Sequence, residues 1–257
     1  MARSLLFMTL GAVLIGCAGS HAAEPKQTLA PSGALRVGLY RGGPTSVIPG
    51  ATPEETKGVG YDLGKELARR LGARFEPAVY ASPGALIAAG KSGEWDVAFL
   101  AVDAEREKIL SFTAPFLFVE HGYLVPAGSS IMKMEEIDRP GTRVGAPQGG
   151  SINAVLKRVL RSATVMNSAG LAGGVEMMKA GKVDAFAANK ANLYQMSDKL
   201  PGSRVLPGHL DLDRIAIAIP KGREAGLDYL TAFIRSAKAE GRVQAAMTRA
   251  GLRGARE

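Results

Sequence analysis

The chain carries a single cysteine, Cys17, among 257 residues, so no intrachain disulfide can form. Of its three histidines, the two beyond the N-terminal segment, His121 and His209, stand far apart with no cysteine near them. No transition-metal ligand set is indicated. A G-x-S-x-G elbow for a nucleophilic serine is absent. Gly84 with Gly90-Lys91-Ser92 looks like a phosphate loop, but one residue too many separates the glycines. Aromatics make up 6% of the residues, which leaves the packing to Ala, Gly and Leu. Membrane-spanning runs are also missing: the longest apolar stretch, residues 5–16, falls short of the ~20 residues a spanning helix needs. Basic residues outnumber acidic ones, 32 to 24, giving a net charge of +8. They are scattered rather than clustered, which fits a solvated surface and not a nucleic-acid site.

What is present begins with an export signal. Arg3 precedes the apolar run LLFMTLGAVLIG, about the length of a signal-peptide core. Two ends are open. Leu14-Ile15-Gly16-Cys17 resembles a lipobox, which would remove residues 1–16 and lipidate Cys17. Ser20-His21-Ala22 is a small-x-small cleavage site, which would remove residues 1–23 and leave no anchor.

Beyond the signal, strand and helix patterns alternate. Residues 35–40 (LRVGLY) read as a first strand and 41–57, rich in Gly, Pro and Thr, as a loop. Leu63, Leu67 and Leu71 recur every four residues and predict a helix over 61–71, stopped by Gly72. A strand at 75–80 and a helix at 84–89 follow. Residues 97–102 are unbroken apolar sequence, the mark of a strand covered on both faces. A second series starts near Gly122, with strands at 123–128, 143–147, 164–167, 183–187 and 215–219. Its helices fall at 151–160, 171–180 and 189–199, and two more at 227–240 and 242–250 end the pattern. The alternation predicts an α/β protein of βαβ units. One word occurs twice: Lys91-Ser-Gly-Glu-Trp-Asp96 and Lys179-Ala-Gly-Lys-Val-Asp184. In each, a helix ends, a glycine turns the chain in the left-handed conformation, and a buried strand begins. The repeat supports two lobes of like build, although such junctions are common in α/β proteins.

The words GVGYDL, ELARRLG, SGEWDVAFL, AEREK and FTAPF, in this order, resemble the signature of bacterial extracellular solute-binding proteins of the polar-amino-acid type. The likeness runs from about Leu35 to Gly251. It implies a two-lobed, type II periplasmic-binding-protein fold, each lobe a mostly parallel sheet flanked by helices, with a two-strand hinge. Lobe one would comprise residues 33–118 plus 213–257, and lobe two 119–212. It also implies a monomeric periplasmic receptor that takes a small carboxylate-bearing solute, an amino acid or organic acid, and delivers it to an ABC importer. Enzymatic activity, cofactor and metal are not expected, and the membrane is reached only through a lipid on Cys17.

Candidate site residues follow from pattern and resemblance together. Arg106 lies in the first turn of a helix capped by Asp103, just past the 97–102 strand, and its planar fork suits a carboxylate. The resemblance assigns it the ligand's α-carboxylate. Here, however, the loop is shorter than the family's, and Ala101 and Asp103 stand where threonines are usual. Gly149-Gly150-Ser151 opens a helix, so its free N–H groups would favour an anion, or Ser151 would simply cap the helix. Asn189 stands where amino-acid receptors of this type carry an aspartate for the ligand's ammonium. An amide cannot neutralise that charge. Either the solute lacks an ammonium, the expectation we favour, or a carboxylate elsewhere, with Asp103 the candidate, replaces it. Tyr40, ending the first strand, would wall the pocket or pack beneath the 41–45 loop. Trp95 and Phe99 are expected in the core. Two rivals share the scaffold: a lyase or dehydratase using Asp103 as its acid, and a ligand-sensing accessory protein.

Overall fold

The computed structural model describes residues 25–257, so the signal segment and Cys17 lie outside the described residues. After a short helix α1 (Pro25–Leu29), the first lobe is built from β1 (Ala34–Tyr40), α2 (Val59–Arg70), β2 (Arg74–Tyr80), α3 (Pro83–Lys91) and β3 (Val97–Ala101). β2, β1 and β3 are parallel neighbours in that order. The short α4 (Ala104–Glu107) and β4 (Leu110–Phe112) lead into β5 (Leu117–Val125). The second lobe comprises β6 (Arg143–Pro147), α5 (Ile152–Val159), β7 (Thr164–Ser168), α6 (Gly170–Lys179), β8 (Ala185–Asn189) and α7 (Lys190–Ser197). Here β7, β6 and β8 are the parallel set. After β9 (Arg204–Val205), β10 (Leu212–Pro220) returns to the first lobe, where α8 (Leu227–Ala239), α9 (Arg242–Arg249) and β11 (Ala255–Arg256) end the chain.

All five residues of β3 are buried, as a strand between two helical layers requires. Its side chains alternate between two cores. Val97, Phe99 and Ala101 join Leu63, Leu67 and Phe233, whereas Ala98 and Leu100 join Leu86 and Trp95. The second lobe is packed the same way, with Val144 and Ala185 on one face and Phe186 and Ala188 on the other.

Between these sheets run β5 and β10, antiparallel to each other. β10 pairs with β3 through Ile215–Ala218, and β5 pairs with β8 through His121–Leu124. This is the two-strand hinge. We propose that the lobes meet within these strands, near residues 119 and 213. Both strands start earlier than their apolar patterns predict, at Leu117 rather than 123 and at Leu212 rather than 215. Polar residues cause the difference: Glu120, His121, Asp213 and Arg214 interrupt the hydrophobic run, while the backbone ladder continues through them.

The repeated word has a structural meaning. Gly93 and Gly181 both have positive φ, 70° and 61°. The aspartate after each then locks the central strand to its neighbour. Asp96 accepts from the Arg36 backbone N–H at 2.9 Å and from Arg36 Nε and Nη2 at 3.1 and 2.8 Å. Asp184 accepts from the same three groups of Arg143 at 2.8, 3.0 and 2.7 Å. Asp96 takes one more bond, from Arg223 Nη1 at 2.8 Å, which ties in the approach to α8. Burial separates the two: the Asp96 side chain is 1% exposed and that of Asp184 36%. Asp96→Ala should therefore cost about 2–3 kcal/mol, because it strands two half-shielded guanidinium groups. Asp184→Ala should cost under about 1 kcal/mol. Urea unfolding of the two variants checks the order, and equal losses would show that burial does not set the strength of the lock.

Candidate functional site

The carboxyl ends of β1 and β3 face those of β6 and β8 across the gap between the lobes, which is where open α/β sheets take ligands. The gap is shut. Gly84 N–H donates to the Gln148 carbonyl at 3.2 Å, and Arg106 Nη2 to the Gly149 carbonyl at 2.9 Å. Gly149 has φ 68°, and a Cβ there would lie 2.4 Å from Gly84 Cα, so this contact requires glycine. Behind it lies a cavity of about 30 Å³, walled by Tyr40, Phe99, Ala101 and Arg106 from one side. Pro147, Gly150, Ser151, Asn189 and Asn192 wall the other, and Asp213 of the hinge strand lies between them. That volume holds a water-sized group, so anything larger enters only when the lobes part.

Arg106 is buried, and three of its donors are spent on the protein. Nε pairs with Asp103 Oδ2 at 2.9 Å, Nη1 donates to the Ala101 carbonyl at 2.7 Å, and Nη2 reaches Gly149 in the other lobe. Asp103 Oδ1 meanwhile caps α4, accepting from the N–H groups of Glu105 and Arg106 at 3.0 Å each. Asp103 thus sits at the outer mouth with Gly149 rather than in the cavity wall, and it is committed to Arg106. The expectation that Asp103 replaces the missing carboxylate is corrected on that ground. Gly149 turns a carbonyl, not an amide, toward Arg106, and the Gly150 N–H is taken by the Pro147 carbonyl at 2.9 Å. Of the expected nest, the Gly150 N–H is therefore not free for an anion. Ser151 does not cap α5; its Oγ lies 3.3 Å from His121 Nε2. Tyr40 does both things expected of it. It walls the cavity, and its hydroxyl bonds Thr45 Oγ1 at 2.7 Å in the loop above. Burial pushes its phenol up from the ordinary value, so it stays neutral. Trp95 and Phe99 are in the core, as expected, with Trp95 Nε1 donating to the Leu86 carbonyl at 2.8 Å.

Asn189 has a partner that the sequence reading missed. Its Nδ2 donates to Asp213 Oδ2 at 3.0 Å, while its Oδ1 caps α7 by accepting from the Asn192 N–H at 3.0 Å. Asp213 Oδ1 lies 3.1 Å from His121 Nε2. The aspartate is 4% exposed. Burial pushes its carboxyl up, but His121, Ser151 and Asn189 outweigh that and hold it at about 2. A buried carboxylate is therefore present, supplied by β10 instead of β8. Its signal was the DLDR stretch before IAIAI: Asp213 is two residues before Ile215 and shares its face once β10 extends back to Leu212.

Ser151, His121 and Asp213 are the residue types of a hydrolytic triad, but both oxygens meet the same ring nitrogen. His121 Nδ1 is buried with no partner among the described residues. A relay needs the acid and the serine on opposite nitrogens. Asp213, ionised well below neutrality, is no general acid either, and Asn189 cannot serve as one.

A depressed folded-state value means that Asp213 stabilises the fold above its unfolded value near 4 and loses that contribution as the pH falls through about 2. The wild-type stability curve should fall by about 2 kcal/mol over this window, and Asp213→Asn should flatten it. Chemical denaturation between these pH values measures the difference; parallel curves for the two proteins would show that Asp213 is not held ionised.

Comparison with known proteins agrees with the fold and the cleft. The sequence profile of the bacterial extracellular solute-binding proteins, family 3, matches residues 35–251. The ABC transporter glutamine-binding protein GlnH of Bacillus subtilis is 24% identical over 192 residues, 73% of this chain and 70% of that protein. Among solved structures, the solute receptor for L-cysteine of Neisseria gonorrhoeae superposes with a TM-score of 0.77 at 21% identity, covering 86% of this chain and 90% of the other. An amino acid ABC transporter substrate-binding protein of Streptococcus pneumoniae bound to L-arginine gives 0.78 at 18% identity, over 87% and 97%. At these identities the structures speak to the fold alone. The profile match spans most of the chain, and the protein belongs to the bacterial extracellular solute-binding proteins, family 3.

Proposed function

We propose that the protein is a periplasmic receptor that closes its lobes on a small polar solute bearing a carboxylate and delivers it to the permease of an ABC importer. The observation that carries this reading is the buried guanidinium of Arg106 in the wall of the closed cavity, bonded across the gap to Gly149. A carboxylate entering the open cleft would take over the donor that Gly149 now occupies, exchanging one charge-assisted bond for a stronger one. Closure then completes the site with groups from both lobes. The relatives named above bind glutamine, L-cysteine or L-arginine, which supports the same class of solute here. An enzyme on this scaffold is disfavoured by the absence of a usable acid at Asn189 and Asp213.

Thermal unfolding in the presence of the twenty standard L-amino acids and a set of small organic acids tests the proposal. At about 100 times its Kd, a true ligand adds about 2.7 kcal/mol and should raise Tm by several degrees. Arg106→Ala should weaken its binding about 30-fold or more. A panel with no shift, together with nothing released from the denatured protein on mass spectrometry, would contradict the receptor reading.

A further inference from the structure

Residues 252–257 follow α9 and run from the first lobe across the hinge to the second. Leu252 is still part of the first lobe, packed on its core with its N–H donating to the Met247 carbonyl at 2.9 Å. The next side chain belongs to the other side. Arg253 lies over the Tyr194 ring, 4.8 Å from its centroid, and pairs with Asp198, both on or capping α7. Gly254 then passes against α7 with no side chain of its own. Its φ is 70°, and a Cβ there would lie 3.0 Å from Lys190 Cβ. Its carbonyl accepts from the Glu120 N–H at 3.3 Å, and Ala255 and Arg256 pair antiparallel with Val119 and Phe118 of β5. β10 holds the opposite edge of that same stretch, so β11 is a third strand at the hinge. Glu257 returns to the first lobe, 3.8 Å from Lys238 of α8.

We propose that residues 252–257 form a strap that holds the lobes in the shut arrangement, with Arg253 as its anchor on the second lobe. This rests on the receptor reading only in requiring that the lobes part. Arg253 is carried by the first lobe, whereas Tyr194 and Asp198 are carried by the second, so rotation about β5 separates them. Contacts made in one arrangement and lost in the other shift the balance by their own free energy. The ion pair is about half exposed on both sides and modest by itself; the stacked ring adds to it. A solute enters when the lobes are apart, so the strap slows its entry. The same contacts persist once the lobes shut on the solute, and its escape is slowed equally. The strap therefore sets the rate of exchange more than the tightness of binding.

The distance between the lobes can be read without any solute. Lys91 and Lys157 are exposed on opposite sides of the outer mouth, and nitroxides on Lys91→Cys and Lys157→Cys, in protein carrying Cys17→Ser, report it by pulsed electron resonance. Arg253→Ala should raise the ratio of long to short distances about fivefold. Asp198→Ala should move it the same way by less, and the two together no further than Arg253→Ala alone. Removing residues 253–257 should move it furthest. Because Arg253 and Asp198 are both half exposed, their variants keep the fold, and an unchanged urea midpoint checks this. An unaltered ratio in Arg253→Ala overturns the strap. So does a change confined to the truncated chain and accompanied by a lower urea midpoint, which would make the segment a mere stabiliser of the first lobe. A longer distance that never appears, even in the truncated chain, overturns it as well. The receptor reading is judged separately by the solute panel, which the distance measurement does not involve.

Discussion

A carboxylate sits where the two lobes join, out of water, and the cleft is arranged around keeping it charged. Asp213 belongs to a hinge strand, while its partners His121, Asn189 and Ser151 come from the other hinge strand, the end of β8 and the turn before α5. Burial alone would favour the protonated form. The converging donors reverse that, so the negative charge is fixed at the floor of the gap. Because these donors sit on separate elements, their mutual position is set by how the second lobe packs on the hinge. Charge and closure are thereby coupled.

The rest of the molecule supplies a rigid frame for that gap. Each lobe pins its central strand with the same aspartate–arginine lock, Asp96 to Arg36 and Asp184 to Arg143, so both halves present their strand ends squarely. β5 and β10 connect the two lobes. The gap is sealed by backbone: glycines at 84 and 149 let the two segments approach without side chains, and Arg106 spans the seam. An arginine with two donors already satisfied within its own lobe, by Asp103 and the Ala101 carbonyl, is preorganised, its fork held in place before any ligand arrives.

Much of this was legible in the sequence, and the failures share a cause. Helix α2 was announced by Leu63, Leu67 and Leu71, β3 by its unbroken apolar run, and the two-lobed build by the repeated word around Gly93 and Gly181. Tyr40, Ala101, Arg106, Gly150, Ser151 and Asn189, picked from pattern and resemblance, all reach the cavity. Asp103 and Gly149 stay at its mouth. What could not be read was the polar part of the hinge. Hydrophobic periodicity finds strands by what they bury among apolar neighbours, whereas the segments of β5 and β10 that carry His121 and Asp213 bury polar groups against one another. Partners far apart in sequence satisfy them, and no local pattern records that. Asn189 was read as a loss of charge because its partner Asp213 lies on a strand two places away in the sheet.

The charge state of that aspartate is the point on which the account turns, and carbon NMR of the Asp213 carboxyl as a function of pH observes it directly. A carboxylate signal is expected throughout the neutral and mildly acidic range, with titration only near 2. A carboxyl that takes up its proton above the ordinary aspartate value of about 4 would contradict it.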